Sequence, residues 1–137
     1  MSNLITAGAA SDHIVSLLQT LGKGTIGTSL FVNKEPDGAG VLDNVVTVYD
    51  SPAHRAPELN YTWEYPSVQV RVRRKPGDWQ AGKLFVLELM EALHCYVGTI
   101  SSIKYHLVRV INGPIPLGED ERGRPRWTFN CEINRST

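Results

Sequence analysis

Two cysteines in 137 residues are too few for a disulfide framework, and Cys95 and Cys131 form no CxxC pair. Cys131 falls in a strand pattern beside Trp127, Phe129 and Ile133, the place of a buried thiol acting as a small hydrophobe. A reducing, intracellular folding compartment is the expectation. Net charge is also missing, since 14 basic residues balance 14 acidic ones. A surface given over to nucleic acid would be strongly basic, and zero net charge leaves little repulsion between copies. No run of 18 apolar residues occurs, so no membrane span is expected. The N-terminus, MSNLITAGAAS, lacks the basic segment and apolar run of a secretion signal.

Catalytic and metal-binding patterns are missing too. His13, His54, His94 and His106 are scattered, with neither an HExxH helix nor a Cys/His zinc spacing. His94 and Cys95 are neighbours on a helix and point about 100° apart, which is no dyad. Gly22-Lys23-Gly24-Thr25 lacks the Ser or Thr directly after lysine that a phosphate loop needs. Glu119, Asp120 and Glu121 stand in a row without the alternate spacing of a calcium loop. They read as a solvated loop or as an inter-subunit ion-pair loop. No enzyme, cofactor or metal is therefore expected.

What is present is hydrophobic pattern. In Tyr65–Lys75, YPSVQVRVRRK, Val68, Val70 and Val72 alternate with Gln69, Arg71 and Arg73. Period two places the valines on one face, so this is the expected central strand. Ile14, Leu17, Leu18 and Leu21 form a helical stripe, capped by Ser11 or Asp12 and stopped by Gly22. Strands are expected at 28–33 and 44–49, joined as a hairpin through KEPDGAG. Further strands fall at 102–111, where the drifting pattern points to a bulge or to cover on both faces, and at 126–133. A helix capped by Asp78 spans 79–97, and its apolar surface exceeds the roughly 100° stripe one sheet needs. The first helix or another subunit covers the excess. Residues 50–66 and 112–125, rich in proline, read as long loops, and residues 1–10 as a flexible start.

The expected fold is α+β over a single domain, 1–137. It is a two-layer sandwich with a mostly antiparallel, twisted sheet of four to five strands and two helices packed on one face. Candidate contact residues are Tyr61, Trp63 and Tyr65, which extend the central strand, cover the core edge or form an aromatic surface. Others are Arg71 and Arg73 on its polar face, and Glu119, Asp120, Glu121, Arg122 and Arg124. The arginines suit ion pairs, phosphate contact or a protein interface.

The segments VYDSPAHRAP (48–57), YTWEYPSVQVRVRRKPGDW (61–79) and INGPIPLGEDERGRPRWTFNCEINR (111–135), in this order, carry a resemblance. The chain resembles the small tail terminator, or tail completion, proteins of long-tailed bacteriophages, also filed as minor capsid proteins. The resemblance covers about two thirds of the chain, Val48 to Arg135. It implies a structural virion protein at the head–tail junction, assembled in the host cytoplasm. It also implies a homohexameric ring capping the head-proximal end of the tail tube, stopping tube growth and docking to the head connector. The implied partners are other copies, tail tube protein, connector protein and double-stranded DNA passing through the lumen, with no membrane. The alternatives are a head-completion or connector adaptor, a DNA-binding module using the arginine strand and, last, a small hydrolase.

Overall fold

The computed structural model describes residues 8–58 and 62–137. In chain order the elements are α1 (Ala10–Thr20), β1 (Leu30–Val32), β2 (Val45–Arg55), β3 (Trp63–Arg73), α2 (Trp79–Leu93), β4 (Tyr96–Ile100), β5 (Ile103–Glu119) and β6 (Pro125–Ser136). They build one six-stranded sheet in the order β1-β2-β3-β6-β5-β4, with β3 and β6 in the middle. Val68, Val70 and Val72 are fully buried, as are Phe129, Cys131 and Ile133 of β6. Each such side chain contributes about 1.5–3 kcal/mol. Burial also pushes the Cys131 thiol up to about 12.

The expected two-layer sandwich of a twisted, mostly antiparallel sheet with both helices on one face needs correcting. The sheet has six strands, not four to five; it is mixed, and it curls into a half-barrel. α1 packs on β1, β2 and β3 and also on β4, at the opposite edge. In a flat sheet those edges would lie about 24 Å apart, far more than a helix about 10 Å across can bridge. Curling brings them together around α1, while α2 lies over β5 and β6. The helices are therefore not a layer laid side by side on one face.

The expected hairpin of the first two strands is instead a parallel pair, Leu30 with Val46 and Val32 with Val48. The segment between them is a crossover returning along the sheet rather than a tight turn. Both long loops are mostly strand. β2 runs on to Arg55, with Pro52 inside a register shift between Ser51 and Arg55. β5 runs on to Glu119, with Pro114 and Pro116 among the shifts that break its pairing with β6. Bulged strands tolerate prolines because a ladder N–H is not required there. The bulge expected in 102–111 is present between Tyr105 and Leu107.

α2 stops at Leu93, short of the expected 97, because Cys95 adopts a left-handed φ of 64°. β4 follows at once and turns into β5 through Ser101 and Ser102, both with positive φ, as a two-residue hairpin requires. α1 begins at Ala10, and no side chain of its own caps it. Asp50 of β2 does that work, accepting the Ser11 N–H at 3.1 Å and its hydroxyl at 2.7 Å. A carboxylate there also complements the helix dipole. Asp78 does precede α2, but its carboxylate receives Arg74 Nε at 2.8 Å instead of capping the helix. Of the start expected to be flexible, residues 1–7 lie outside the described residues, and Ala10 is buried.

Candidate interaction surfaces

The residues singled out on β3 separate into two groups. Trp63 and Arg73 are ten residues apart, about 33 Å along a strand. At the first end Trp63 is partly exposed and stacks on His106, with centroids 4.2 Å apart and planes at 12°. His106 Nε2 in turn lies 2.6 Å from Ser136 Oγ. Tyr65 is buried and donates its hydroxyl to Glu58 at 3.0 Å, with the Arg55 guanidinium over its ring. Tyr61 lies outside the described residues.

At the other end, Arg73, Glu119, Asp120, Glu121, Arg122 and Arg124 line one cleft of about 560 Å³, with Glu35, Asp37 and Arg126. Pairing of β5 and β6 out to Glu119 and Pro125 brings the 119–124 turn beside the end of β3. Arg73 is buried although it belongs to the polar face of β3. Its guanidinium donates to the carbonyls of Pro36 (2.7 Å), Leu42 (2.9 Å) and Asp43 (3.0 Å). Arg124 is buried among three carboxylates: Asp120 at 2.7 Å, Asp37 at 3.1 Å and Asp43 at 3.3 Å. Such charge-assisted contacts are the stronger hydrogen bonds of a fold. Arg124 donating to Asp37, helped by the Gly38 N–H, holds that carboxyl below its ordinary range. Burial pushes the Asp120 carboxyl up, but the N–H groups of Arg124 and Arg122 and the Arg124 side chain outweigh it, and the net shift is down. Arg71 lies one register step along the strip, its guanidinium 5.2 Å from the centre of the Tyr49 ring.

Sequence reasoning did not find the second surface as a unit. α2 leaves Trp79, Leu84 and Leu87 exposed, and the far half of β5 leaves Ile111, Ile115 and Leu117 exposed. Between α2 and β5 a cleft of about 730 Å³ is walled by Trp79, Leu87, Pro114, Pro116 and Trp127, with Lys83 and Gln80 at the side, while Ile115, level with Thr128, stands on the opposite face of the sheet. Gly82 lets α2 come this close, because a Cβ there would stand 2.8 Å from the Trp127 ring. The α2 half was signalled by its apolar excess. The β5 half was hidden by reading 112–125 as a loop. Trp79 Nε1 donates to Glu119 at 3.3 Å and so joins the apolar surface to the charged one.

Among the described residues no group of three His, Cys, Asp or Glu is placed to hold a metal ion, and no helix is long and apolar enough to cross a membrane. A family model described as bacteriophage tail terminator protein matches residues 17–137. Among solved structures, a chain from the virion of a native gene transfer agent particle is similar, with a TM-score of 0.70 at 11% identity. That likeness covers 98% of this chain and 100% of the other. A second solved chain is similar with a TM-score of 0.60 at 14% identity, covering 95% and 98%. At such identities the likeness carries the fold. No curated protein matches the chain.

Proposed function

The chain belongs to the bacteriophage tail terminator family, and on that premise we propose that it forms a ring on the head-proximal end of the tail tube. It is a structural protein of the virion. The ring, a hexamer of identical subunits, ends tube polymerisation and docks the tail to the head connector. Double-stranded DNA passes through its lumen without sequence-specific contact.

The observation that carries this reading is the exposed apolar surface of α2 and β5. α1 does not cover it, and Leu84 is left 57% exposed. A contiguous apolar patch rimmed by polar groups marks a protein interface. A ring needs a heterologous contact whose rotation closes, one patch meeting a different patch on the next copy. In this reading the exposed side chains of Glu121 and Arg122 reach a neighbour or the connector, Trp63 marks another contact, and the buried Arg73 and Arg124 fix the geometry from behind.

The test is the state of the protein in solution, alone and with tail tube protein, by light scattering and negative-stain imaging. Rings, or tubes capped at one end, are the expected result. A strict monomer at high concentration that leaves tube length unlimited would overturn it. Binding to the connector but never to the tube would move the chain to the connector side of the joint.

A further inference from the structure

The crossover between β1 and β2 lies over the arginine end of the sheet and is held there by side chains rather than by strand pairing. None of the residues from Lys34 to Asp43 is fully buried. Its backbone bonds are local, with Val41 N–H to Gly38 and Gly38 N–H to the Asp37 side chain. Among the described residues no backbone-to-backbone hydrogen bond ties 34–43 to a strand; the strands bond to its main chain through side chains, Arg73 of β3 and the Tyr49 hydroxyl of β2 at Glu35. It is held by guanidinium groups: Arg73 on three of its carbonyls, and Arg124 and Arg122 on its carboxylates. Segments with few buried apolar contacts open locally at low cost.

The fit beneath the segment is also incomplete. Thr47 Oγ1, Arg71 Nε, Arg126 Nε and Glu35 Oε1 are buried without a hydrogen-bond partner. All four belong to one place. Thr47 is level with Arg71, Arg73 is level with Arg126, and Glu35 reaches Arg126 at 4.0 Å. Thr47 is on the outward face and is nonetheless fully buried. Each unmet donor or acceptor weakens the closed form.

We propose that residues 34–43 are a displaceable strap, and that the arginine strip beneath is a docking site for an extended acidic peptide of a partner chain. The strap shows what chemistry the strip accepts. Glu35 and Asp37 place carboxylates two residues apart against Arg126 and Arg124, while Arg73 reads main-chain carbonyls. The strap is itself an extended acidic peptide, and its carbonyls together with carboxylates two residues apart are the pattern a partner segment would reproduce. With the strap lifted, Arg71, Arg73, Arg122, Arg124 and Arg126 outnumber Glu119, Asp120 and Glu121, which line the same cleft, and a net basic strip is left on a chain of zero net charge. The inference stands independently of ring formation.

The test uses the full chain and an end-blocked synthetic peptide of the strap sequence, KEPDGAGVLD. The variant Glu35→Gln/Asp37→Asn/Asp43→Asn keeps hydrogen-bond acceptors but removes the strap's charge. It should bind the peptide about tenfold tighter than the unaltered chain, weakening with salt. Adding Arg126→Gln should return binding to the starting level. Equal affinity in both proteins, or tighter binding of a DNA duplex than of the peptide, would overturn the proposal. Hydrogen exchange on the unaltered chain decides the matter if the variant fails to fold. The Val41 and Leu42 amides should exchange faster than those of Val46 and Val48, and faster still with the peptide added. Strap amides that exchange only on global unfolding would overturn it.

Discussion

α1 and α2 are both amphipathic, yet the fold treats them differently. In α1, seven of eleven residues are buried, against four of fifteen in α2. α1 lies inside the half-barrel and is tied by polar groups at its start. Asp50 holds Ser11, and His13 Nδ1 lies 2.7 Å from the Tyr105 hydroxyl and 3.3 Å from Arg135 Nη1. A guanidinium only donates, so that histidine nitrogen is an acceptor. Arg135 is in turn paired with Glu64, and burial pushes Tyr105 up to about 12. α2 has one buried stripe of Val86, Leu89 and Leu93, with Phe85 and Met90 packed at its margins, and shows Trp79, Leu84 and Leu87 outward. One helix completes the fold of its own chain. The other leaves apolar side chains exposed, and the contact proposed above uses them.

The largest effect should come from cutting into α1. Leu18 is fully buried within the core that also holds Val46, Val48 and Val70. Leu18→Ala removes its contacts and leaves a cavity in a crowded trough. The expected loss is about 2–5 kcal/mol, read from the midpoint of urea unfolding. A loss under about 1 kcal/mol would mean that α1 is not the plug of the half-barrel.

Removing the acceptor that starts α1 should cost less. Asp50→Ala deprives Ser11 of both its bonds and Asn33 Nδ2 of its 2.8 Å partner. Losing a helix cap costs about 0.5–2 kcal/mol, and the expected loss lies near the top of that range because β2 and the 33–34 bend lose a tie as well. Asp50→Asn keeps one acceptor and should recover part of it. If both variants unfold at the same denaturant concentration as the unaltered chain, the cap is decorative.

The same contrast shows what was legible in the sequence. The valines of β3 and the apolar residues of β6 alternate without interruption, and both strands lie where expected. Period two is a local signal, and central strands obey it. The parallel pairing of β1 and β2 was not legible, because a crossover and a hairpin loop use the same glycine- and proline-rich residues. Pro52, Pro114 and Pro116 concealed strand for a related reason: they sit at irregular register, where a proline is harmless. Tyr96 and Val97 of β4 were read as the end of the helix and Gly98 as its stop, because nothing in Cys95, Ser101 or Ser102 announces a positive φ. At the charged end, Arg73 and Arg124 were visible as residues, but apart from Asp120 beside Arg124 their carbonyl and carboxylate partners come from a segment more than 80 residues away from Arg124 in sequence. Long-range pairing of that kind leaves no mark on local pattern.

The smallest expected effect on stability is the sharpest test of the comparison. Leu84 and Leu87 face outward on α2, and glutamate is nearly as good a helix former as leucine. Leu84→Glu/Leu87→Glu should therefore change unfolding stability by no more than about 0.5 kcal/mol per site, as for ordinary surface substitutions. If the surface serves only its own chain, nothing else should change. If it is the contact between copies, two buried carboxylates without partners would block it, because uncompensated charge at an interface is costly. Light scattering should then report a folded monomer that leaves tail tubes uncapped. A pair of glutamates that unfolds the monomer would make α2 a core helix like α1. A pair that leaves ring assembly intact would send the search for the contact to the charged end of β3.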